Sequence, residues 1–159
     1  VIAVEPVITM RSLLSETVPE AEVRIGSAEA IPMDDGTANT IVASQSFHWF
    51  DYRPALDEIH RVLKPGGHLV TVWNVRDESE TWVAALTELV DRFAGNTPRY
   101  RDMHWRRAIN SDARTGFTRY TIRGDRYGAG NEKGMNGEEY EGLRQEALHC
   151  SLLRRDPAS

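Results

Sequence analysis

The chain has 159 residues, and 19 basic against 24 acidic side chains give a formal net charge of −5 at pH 7. Its 40% hydrophobic and 27% charged residues are typical of a folded single domain and exclude a disordered chain. The acidic balance argues against nucleic-acid binding, and a single cysteine, Cys150, excludes an internal disulfide and a multi-cysteine metal site, so no metal is expected. With no apolar run near the ~20 residues of a membrane span and no opening signal peptide, we expect a cytoplasmic protein away from the membrane.

Strand and helix patterns alternate along the first part of the chain. Residues 1–4 form a short apolar run typical of a buried strand, and Pro6 opens a helix predicted over 6–17. A brief strand is predicted at 23–25 and a longer one at 40–44. Because the runs at 1–4 and 40–44 are apolar without alternation, these strands are expected in a parallel sheet that is buried on both faces.

The pattern continues with a helix that opens at Pro54, a strand at 68–73 and a helix over 79–95. The first of these helices is predicted to end at Pro65-Gly66-Gly67, and its inner stripe is Leu56, Ile59, Val62 and Leu63. The apolar face predicted for the later helix consists of Trp82, Val83, Leu86, Leu89, Val90 and Phe93. Strand pieces are expected around 117–122 and a final helix over 138–153.

This order predicts an α/β fold with a Rossmann-like, doubly wound, mostly parallel sheet and helices on both faces. We expect one domain over 1–159, with the core in 1–95 and a less regular, substrate-side part in 96–159. Ligands of such sheets bind beyond the carboxyl ends of the strands. Candidate functional residues are therefore sought directly after each strand.

Glu5 ends the first strand. A carboxylate offers two acceptor oxygens at a spacing that suits the vicinal hydroxyls of a ribose. The alternative is that Glu5 stabilises the helix that starts at Pro6 through the helix dipole.

The segment Gly-Ser-Ala-Glu at 26–29 follows the second strand. Glycine permits close backbone approach, and exposed N–H groups next to it can hydrogen-bond the edge of an adenine. An ordinary turn from strand to loop is the alternative interpretation.

The segment Ser-Gln-Ser-Phe-His-Trp-Phe-Asp at 44–51 places three aromatic residues and a histidine after a buried strand. Such residues could form the wall of a cofactor or substrate pocket, with His48 as a candidate catalytic residue and Trp49 as a candidate substrate contact. Alternatively the aromatics cover the edge of the sheet and His48 is a hydrogen-bonded structural residue, which is the interpretation we favour.

Taken together with Val-Glu-Pro at 4–6 and Glu-Ile-x-Arg-Val-Leu-Lys-Pro-Gly-Gly at 58–67, these segments resemble class I S-adenosylmethionine-dependent methyltransferases. The resemblance covers roughly residues 1–75. These residues are similar to the type 11 methyltransferase domains, and most of all to the UbiE-like and trans-aconitate-like small-molecule branch. It implies S-adenosylmethionine as the cofactor and a small-molecule methyl acceptor.

The resemblance also assigns roles to individual positions. Glu5 matches the acid that binds the ribose hydroxyls. Ser27 and Ala28, followed by Glu29, match the residues that contact adenine, Ala28 through its backbone. Ser44 and Gln45 match positions that line the methionine side of the cofactor.

No glycine-rich loop of the kind that holds the methionine part in this family precedes Glu5. In the family the strand before that loop lies between the strand ending at Glu5 and the one ending at Ser44. We therefore expect an N-terminally truncated domain that binds the cofactor poorly by itself. A non-catalytic remnant or interaction module is the alternative function.

An arginine-rich stretch over 99–126 contains eight arginines against three aspartates. Because arginine binds carboxylates bidentately, Arg99, Arg101 and Arg106 are candidate contacts for an acidic acceptor. A solvated basic face is the interpretation we favour, and stacking on a single-stranded nucleic acid is a further alternative that the net charge opposes.

Overall fold

The structure is a computed structural model that describes residues 1–98, 117–122, 132–133, 139–140 and 146–155. Eight strands and three helices lie in these ranges, with a short 3₁₀ turn at Phe47–Trp49 before the second helix. In chain order they are β1 Ile2–Val4, α1 Ile8–Thr17, β2 Glu22–Arg24, β3 Ala38–Ser44, α2 Tyr52–Val62, β4 Leu63–Arg76, α3 Thr81–Asp91, β5 Phe117–Ile122, β6 Glu132–Lys133, β7 Glu139–Tyr140 and β8 Glu146–Arg155.

The strands form three groups. In the first half of the chain β1 pairs with β2, and β3 pairs with β4, both in parallel. Strand β8 then lies between β4 and β5 and is antiparallel to both, which gives the sheet order β3-β4-β8-β5. The short strands β6 and β7 pair with each other. The predicted α/β, Rossmann-like fold is confirmed, with its parallel pairs in the first half of the chain.

The helix predicted over 138–153 is wrong, because residues 146–155 form β8. Strand β4 is 14 residues long, from Leu63 rather than from residue 68, and its edge pairs with β8 from His68 opposite Arg154 to Arg76 opposite Glu146. Ladder hydrogen bonds on both sides of β8 outweigh a local helical periodicity, which is a weak preference on its own.

The main hydrophobic core lies between α2 and the β3–β4 pair. All four residues of the predicted stripe are buried, although the last of them, Leu63, begins β4 instead of continuing α2. Trp73 and Phe47 are fully buried beside them. Arg155, at the end of β8, donates hydrogen bonds from Nη1 to the carbonyl oxygens of His60 (3.0 Å) and Leu63. It thereby satisfies carbonyls at the C-terminal end of α2, where a positive charge also suits the helix dipole.

Two helices keep apolar side chains in contact with solvent. Helix α1 has no buried residue. Helix α3 buries Val83 and Thr87, so the apolar face predicted for it is mostly wrong among the residues that the structure describes. Its exposed large side chains, with Phe93 just beyond it, are Trp82, Leu86, Leu89 and Phe93.

Candidate functional site

Strands β1 and β2 end side by side and bring the first two predicted site segments to one edge. Val4 lies opposite Arg24, and the Glu5 N–H donates to the Arg24 carbonyl at 3.2 Å. Because the strands are parallel, Glu5 and the segment that contains Ser27 leave the sheet at the same end. This placement is the one that the sequence predicts for a nucleoside site.

The Glu5 carboxylate also stabilises the start of α1. Its Oε1 accepts a hydrogen bond from the Val7 N–H at 2.8 Å, and Arg11 Nη1 donates to the Glu5 and Pro6 carbonyls at 3.0 and 2.7 Å. The capping role considered as an alternative is thus present. Since Oε2 receives no hydrogen bond from a described residue, one acceptor atom of Glu5 is still available to a ligand.

Residues 27–30 form a tight turn after β2. The Ser27 N–H donates to the Ala30 carbonyl at 3.4 Å, and the Ala30 N–H donates to the Ser27 carbonyl at 3.3 Å. Ala28 and Glu29 lie at the tip, and their N–H groups form no backbone hydrogen bond among the described residues. The Ala28 N–H is therefore available as a donor, as the adenine contact requires.

Glu29 connects this turn to the beginning of α2. Its Oε1 accepts a hydrogen bond from the Asp51 N–H at 3.0 Å, and Asp51 is the N-cap of α2. A carboxylate at a helix N-terminus is favoured by the unpaired N–H groups and the helix dipole there. The structure thus gives the Glu29 side chain a structural partner, whereas sequence reasoning placed it in the cofactor site.

Glu58 and Arg61, on α2, hold the loop that follows the turn. Glu58 Oε2 accepts from the Ile31 N–H at 3.0 Å. Arg61 donates to the carbonyls of Ile31 (3.0 Å) and Met33 (2.8 Å) and to Asp35 Oδ1 (2.7 Å). The two side chains also form a bidentate pair, with N–O distances of 2.7 and 2.8 Å.

The same contacts shift the pKa values of Glu58 and Arg61. The hydrogen bond from Arg61 lowers the pKa of Glu58, and the Ile31 N–H acts in the same direction, against the effect of burial. The hydrogen bonds to Glu58 and Asp35 raise the pKa of Arg61. Sequence reasoning used both residues only as parts of a motif. Their i, i+3 spacing predicts an ion pair, but nothing local predicts its contacts with a loop some 26–30 positions earlier.

Gln45 has a backbone conformation that is rare for a residue with a side chain. Its φ is +52°, directly after the end of β3, and its N–H donates to the Val72 carbonyl of β4 at 2.8 Å. Ser44 and Gln45 are both exposed at this edge. Left-handed backbone at a non-glycine residue costs about 1–2 kcal/mol and is concentrated at functional sites.

His48 has the hydrogen-bonded setting that we favoured. Its Nδ1 accepts from the indole N–H of the buried Trp73 at 3.2 Å, which requires an unprotonated Nδ1. Its carbonyl lies 3.5 Å from the Tyr52 hydroxyl. The neighbouring Trp49 is 58% exposed, with its ring 5.4 Å from the imidazole.

The remaining predictions concern three arginines, metal ions and the membrane, and the structure describes only part of the chain that bears on them. Arg99, Arg101 and Arg106 lie outside the described residues. Within the described ranges, no group of three or more His, Cys, Asp or Glu side chains is arranged to hold a metal ion. None of the described helices is long and apolar enough to cross a membrane.

Comparison with known proteins finds relatives of the first part of the chain. Residues 1–71 match the sequence model of the family described as "Methyltransferase domain". An uncharacterized methyltransferase of Schizosaccharomyces pombe is 41% identical over 95 residues, which are 60% of this chain and 38% of the relative. An uncharacterized methyltransferase of Mycobacterium tuberculosis is 41% identical over 92 residues, which are 58% of this chain and 38% of the relative.

A solved structure extends the likeness of the fold beyond the matched residues. The crystal structure of a SAM-dependent methyltransferase from Thermotoga maritima superposes with a TM-score of 0.62 at 19% identity, over 96% of this chain and 72% of that one. The chain therefore has an α/β fold like that of this methyltransferase, and residues 1–71 match the model of the methyltransferase domain. The matched segments span less than half the length of the curated relatives.

Proposed function

We propose that the protein transfers a methyl group from S-adenosylmethionine to a small-molecule acceptor. The observation that carries the proposal is the convergence of Glu5 and the Ser27–Ala30 turn at one end of the β1–β2 pair. At this edge the Glu5 carboxylate can accept a hydrogen bond from a ribose hydroxyl, and the Ala28 N–H, which has no backbone partner among the residues that the structure describes, can donate one to an adenine. The cofactor supplies a methyl group already activated by its sulfonium charge.

The residues at this edge divide the binding of the nucleoside between them. Glu5 Oε2 accepts from a ribose hydroxyl while Oε1 remains with Val7, so the fixed carboxylate orients the sugar. The Ala28 N–H donates to the acceptor nitrogen of the base, and the Ser27 hydroxyl can donate or accept beside it. Serine is neutral where the family more often has aspartate, which makes the Ser27 contact the weaker one.

The end of β3 is proposed to form the other half of the site. Ser44 and the left-handed Gln45 place polar groups beside the methionine portion, and the exposed Trp49 provides an apolar wall. What remains for the protein is to hold the acceptor atom, methyl and sulfur in line, and such positioning can supply ~7–11 kcal/mol. A carboxylate acceptor would need no general base, which is consistent with the engagement of His48 Nδ1 by Trp73.

The strand pairing supports a further part of this proposal. Among the described strands, β1 pairs only with β2, and β3 has only β4 as a neighbour. Each of them therefore has one edge without a strand partner. In the intact protein we propose an additional parallel strand between β1 and β3, leading into a loop that holds the methionine part of the cofactor.

Titration calorimetry with S-adenosylhomocysteine tests the function on the protein encoded by the complete reading frame. Glu5→Gln is expected to weaken binding about 10–100-fold, since a hydrogen bond to a charged group contributes ~1.5–3 kcal/mol. Glu20→Gln, an equal charge change at an exposed acid, is the control and should bind as the wild type does. Urea unfolding of both variants measures any loss of stability from a weaker contact with Val7, which the amide oxygen of glutamine can still accept.

Two results would contradict the proposed function. If the wild-type protein neither releases heat nor gains thermal stability with S-adenosylmethionine or S-adenosylhomocysteine, the chain is the non-catalytic module considered as the alternative. If it binds but Glu5→Gln binds equally well, the nucleoside site does not lie at the end of β1.

A further inference from the structure

The loop between β2 and β3 is attached to α2 along the length of that helix. Glu29 contacts its N-terminal end through the Asp51 N–H, and Ile31 contacts Glu58 in the middle. Near the C-terminal end, the Gly36 N–H donates to the Arg61 carbonyl at 2.9 Å. A segment with little regular structure of its own thus takes its conformation from a rigid helix.

Arg61 makes most of these attachments by itself. Its guanidinium binds two loop carbonyls, those of Ile31 and Met33, as well as the carboxylates of Glu58 and Asp35. The planar fork of arginine fixes the direction of each hydrogen bond, which the point charge of a lysine cannot do. Its side chain is 31% exposed and that of Asp35 is 79% exposed, so solvent competes less for the part-buried Ile31 and Met33 carbonyls than for Asp35.

The attachment points lie immediately next to the turn that presents the Ala28 N–H. Ala30 closes the turn, and Ile31, the next residue, is held on both its N–H and its carbonyl by Glu58 and Arg61. On the other side, Gly26 packs closely against Val4 and Pro32. The direction of the N–H groups at the tip therefore depends on how α2 holds Ile31.

We propose that Glu58 and Arg61 are positioning residues that orient the Ser27–Ala30 turn and thereby determine its selectivity for an adenine base. This inference rests on the proposed function. Neither side chain needs to touch the ligand. They act by fixing the direction of the Ala28 N–H, which donates a hydrogen bond. Adenine is favoured because its N1 accepts such a bond, and hypoxanthine is disfavoured because its N1 carries a hydrogen.

The test uses Arg61→Met and Arg61→Lys in the protein encoded by the complete reading frame. The control is Arg92→Met, which removes an arginine from an exposed i, i+4 pair with Glu88 beyond the end of α3. Amide hydrogen exchange is measured without ligand at residues 27–35 and in the interior of α2. Affinities are measured for S-adenosylhomocysteine and S-inosylhomocysteine.

For Arg61→Met we expect exchange at 27–35 to rise at least about tenfold while the interior of α2 stays protected, as for a locally opened segment. The preference for the adenine compound over the inosine compound is expected to fall by about five- to tenfold, because a misdirected donor no longer distinguishes the two. Arg61→Lys should lie between wild type and Arg61→Met, and Arg92→Met should match the wild type in both measurements.

The outcomes separate this inference from the function on which it rests. Wild-type protein that binds neither compound contradicts the proposed function, whatever the exchange data show. Wild-type protein that prefers adenine, with the same preference in Arg61→Met, overturns the inference and leaves the function standing. Equal losses of affinity for both compounds, or exchange that rises equally in α2, would show a purely structural role and also overturn it.

Discussion

Gly26 lies just after β2, where β1 and the following loop pack closely against it. A Cβ built at this position would lie 2.7 Å from Pro32 Cδ, 3.0 Å from Val4 Cγ1 and 3.1 Å from the Ala30 carbonyl oxygen. One of these contacts is with backbone, so the chain must move to accommodate any side chain. The glycine is required by the packing of the turn and not by its φ.

We expect Gly26→Ala to lower the free energy of unfolding by about 1–3 kcal/mol, the usual cost of overpacking. Gly36→Asn is a matched control, because Gly36 has a φ of +60° with open space around its Cβ position, and asparagine tolerates that conformation. Urea unfolding monitored by the buried Trp73 measures both. A Gly26→Ala protein as stable as the control would show that the loop relaxes freely.

The positions of single residues could be predicted where they follow a strand. Glu5 follows β1 and Gly26 comes after β2, as expected, and the roles of both toward a ligand stay predictions. The Glu58–Arg61 contacts were not predicted, because their partners lie far away in the sequence and include backbone carbonyls that carry no residue-specific signal. Nor does the sequence predict which oxygen of Glu5 the Val7 N–H engages.

Helix α2 and its attached loop form a unit whose stability depends on ionisation. The pKa of Glu58 is lowered in the folded protein, first by its hydrogen bond from Arg61. The folded state therefore favours the ionised carboxylate more than the unfolded chain does. The resulting stability is fully present above the ordinary value of 4.5 and is lost as the pH falls through the lower folded pKa.

Glu58→Gln should remove this pH dependence. The difference in free energy of unfolding between wild type and Glu58→Gln is expected to be largest near pH 7 and to narrow as the pH falls from about 4.5 towards 3. Glu88→Gln, which breaks an exposed ion pair on α3, should change stability by less than about 1 kcal/mol. A Glu58→Gln difference that stays constant down to pH 3 would contradict the prediction.

At the scale of elements, local patterns predicted the order of strands and helices in the first half of the chain, and they predicted burial best for α2. The four residues of the predicted stripe are all buried, three of them on α2 and the fourth, Leu63, at the start of β4. The alternation of strands and helices is the one observed. For β8 the local pattern was misleading. Its conformation is decided by ladders with β4 and β5, whose partners are about 30 and 80 positions away, and periodicity carries no information about such partners.

Across the whole molecule, the parallel strand pairs β1–β2 and β3–β4 lie in separate sheets, and several features around them are consistent with the proposed additional strand. Strands β1 and β3 each have one edge that pairs with no other described strand. On β3 the side chain of Val42 is 61% exposed. Helix α1 has four apolar side chains at its start and along its surface that are 47–69% exposed, namely Val7, Ile8, Met10 and Leu13. An open strand edge invites pairing with a further strand, and exposed apolar surface can be covered by a further element.

The proposed additional strand therefore leads to a measurable difference between two lengths of chain. In the protein encoded by the complete reading frame, amides on the open edges of β1 and β3 should exchange at least about tenfold more slowly than in residues 1–159 alone, because ladder hydrogen bonds protect them. Amides of the β4–β8 ladder are the internal control and should exchange alike in both, since that ladder is complete in either chain. S-adenosylhomocysteine is expected to bind the protein encoded by the complete reading frame much more tightly than residues 1–159 alone, because the added loop completes the methionine side of the site. Unchanged exchange at β3 in the complete protein would mean that its open edge is a permanent feature of the fold, and the proposed strand would have to be abandoned.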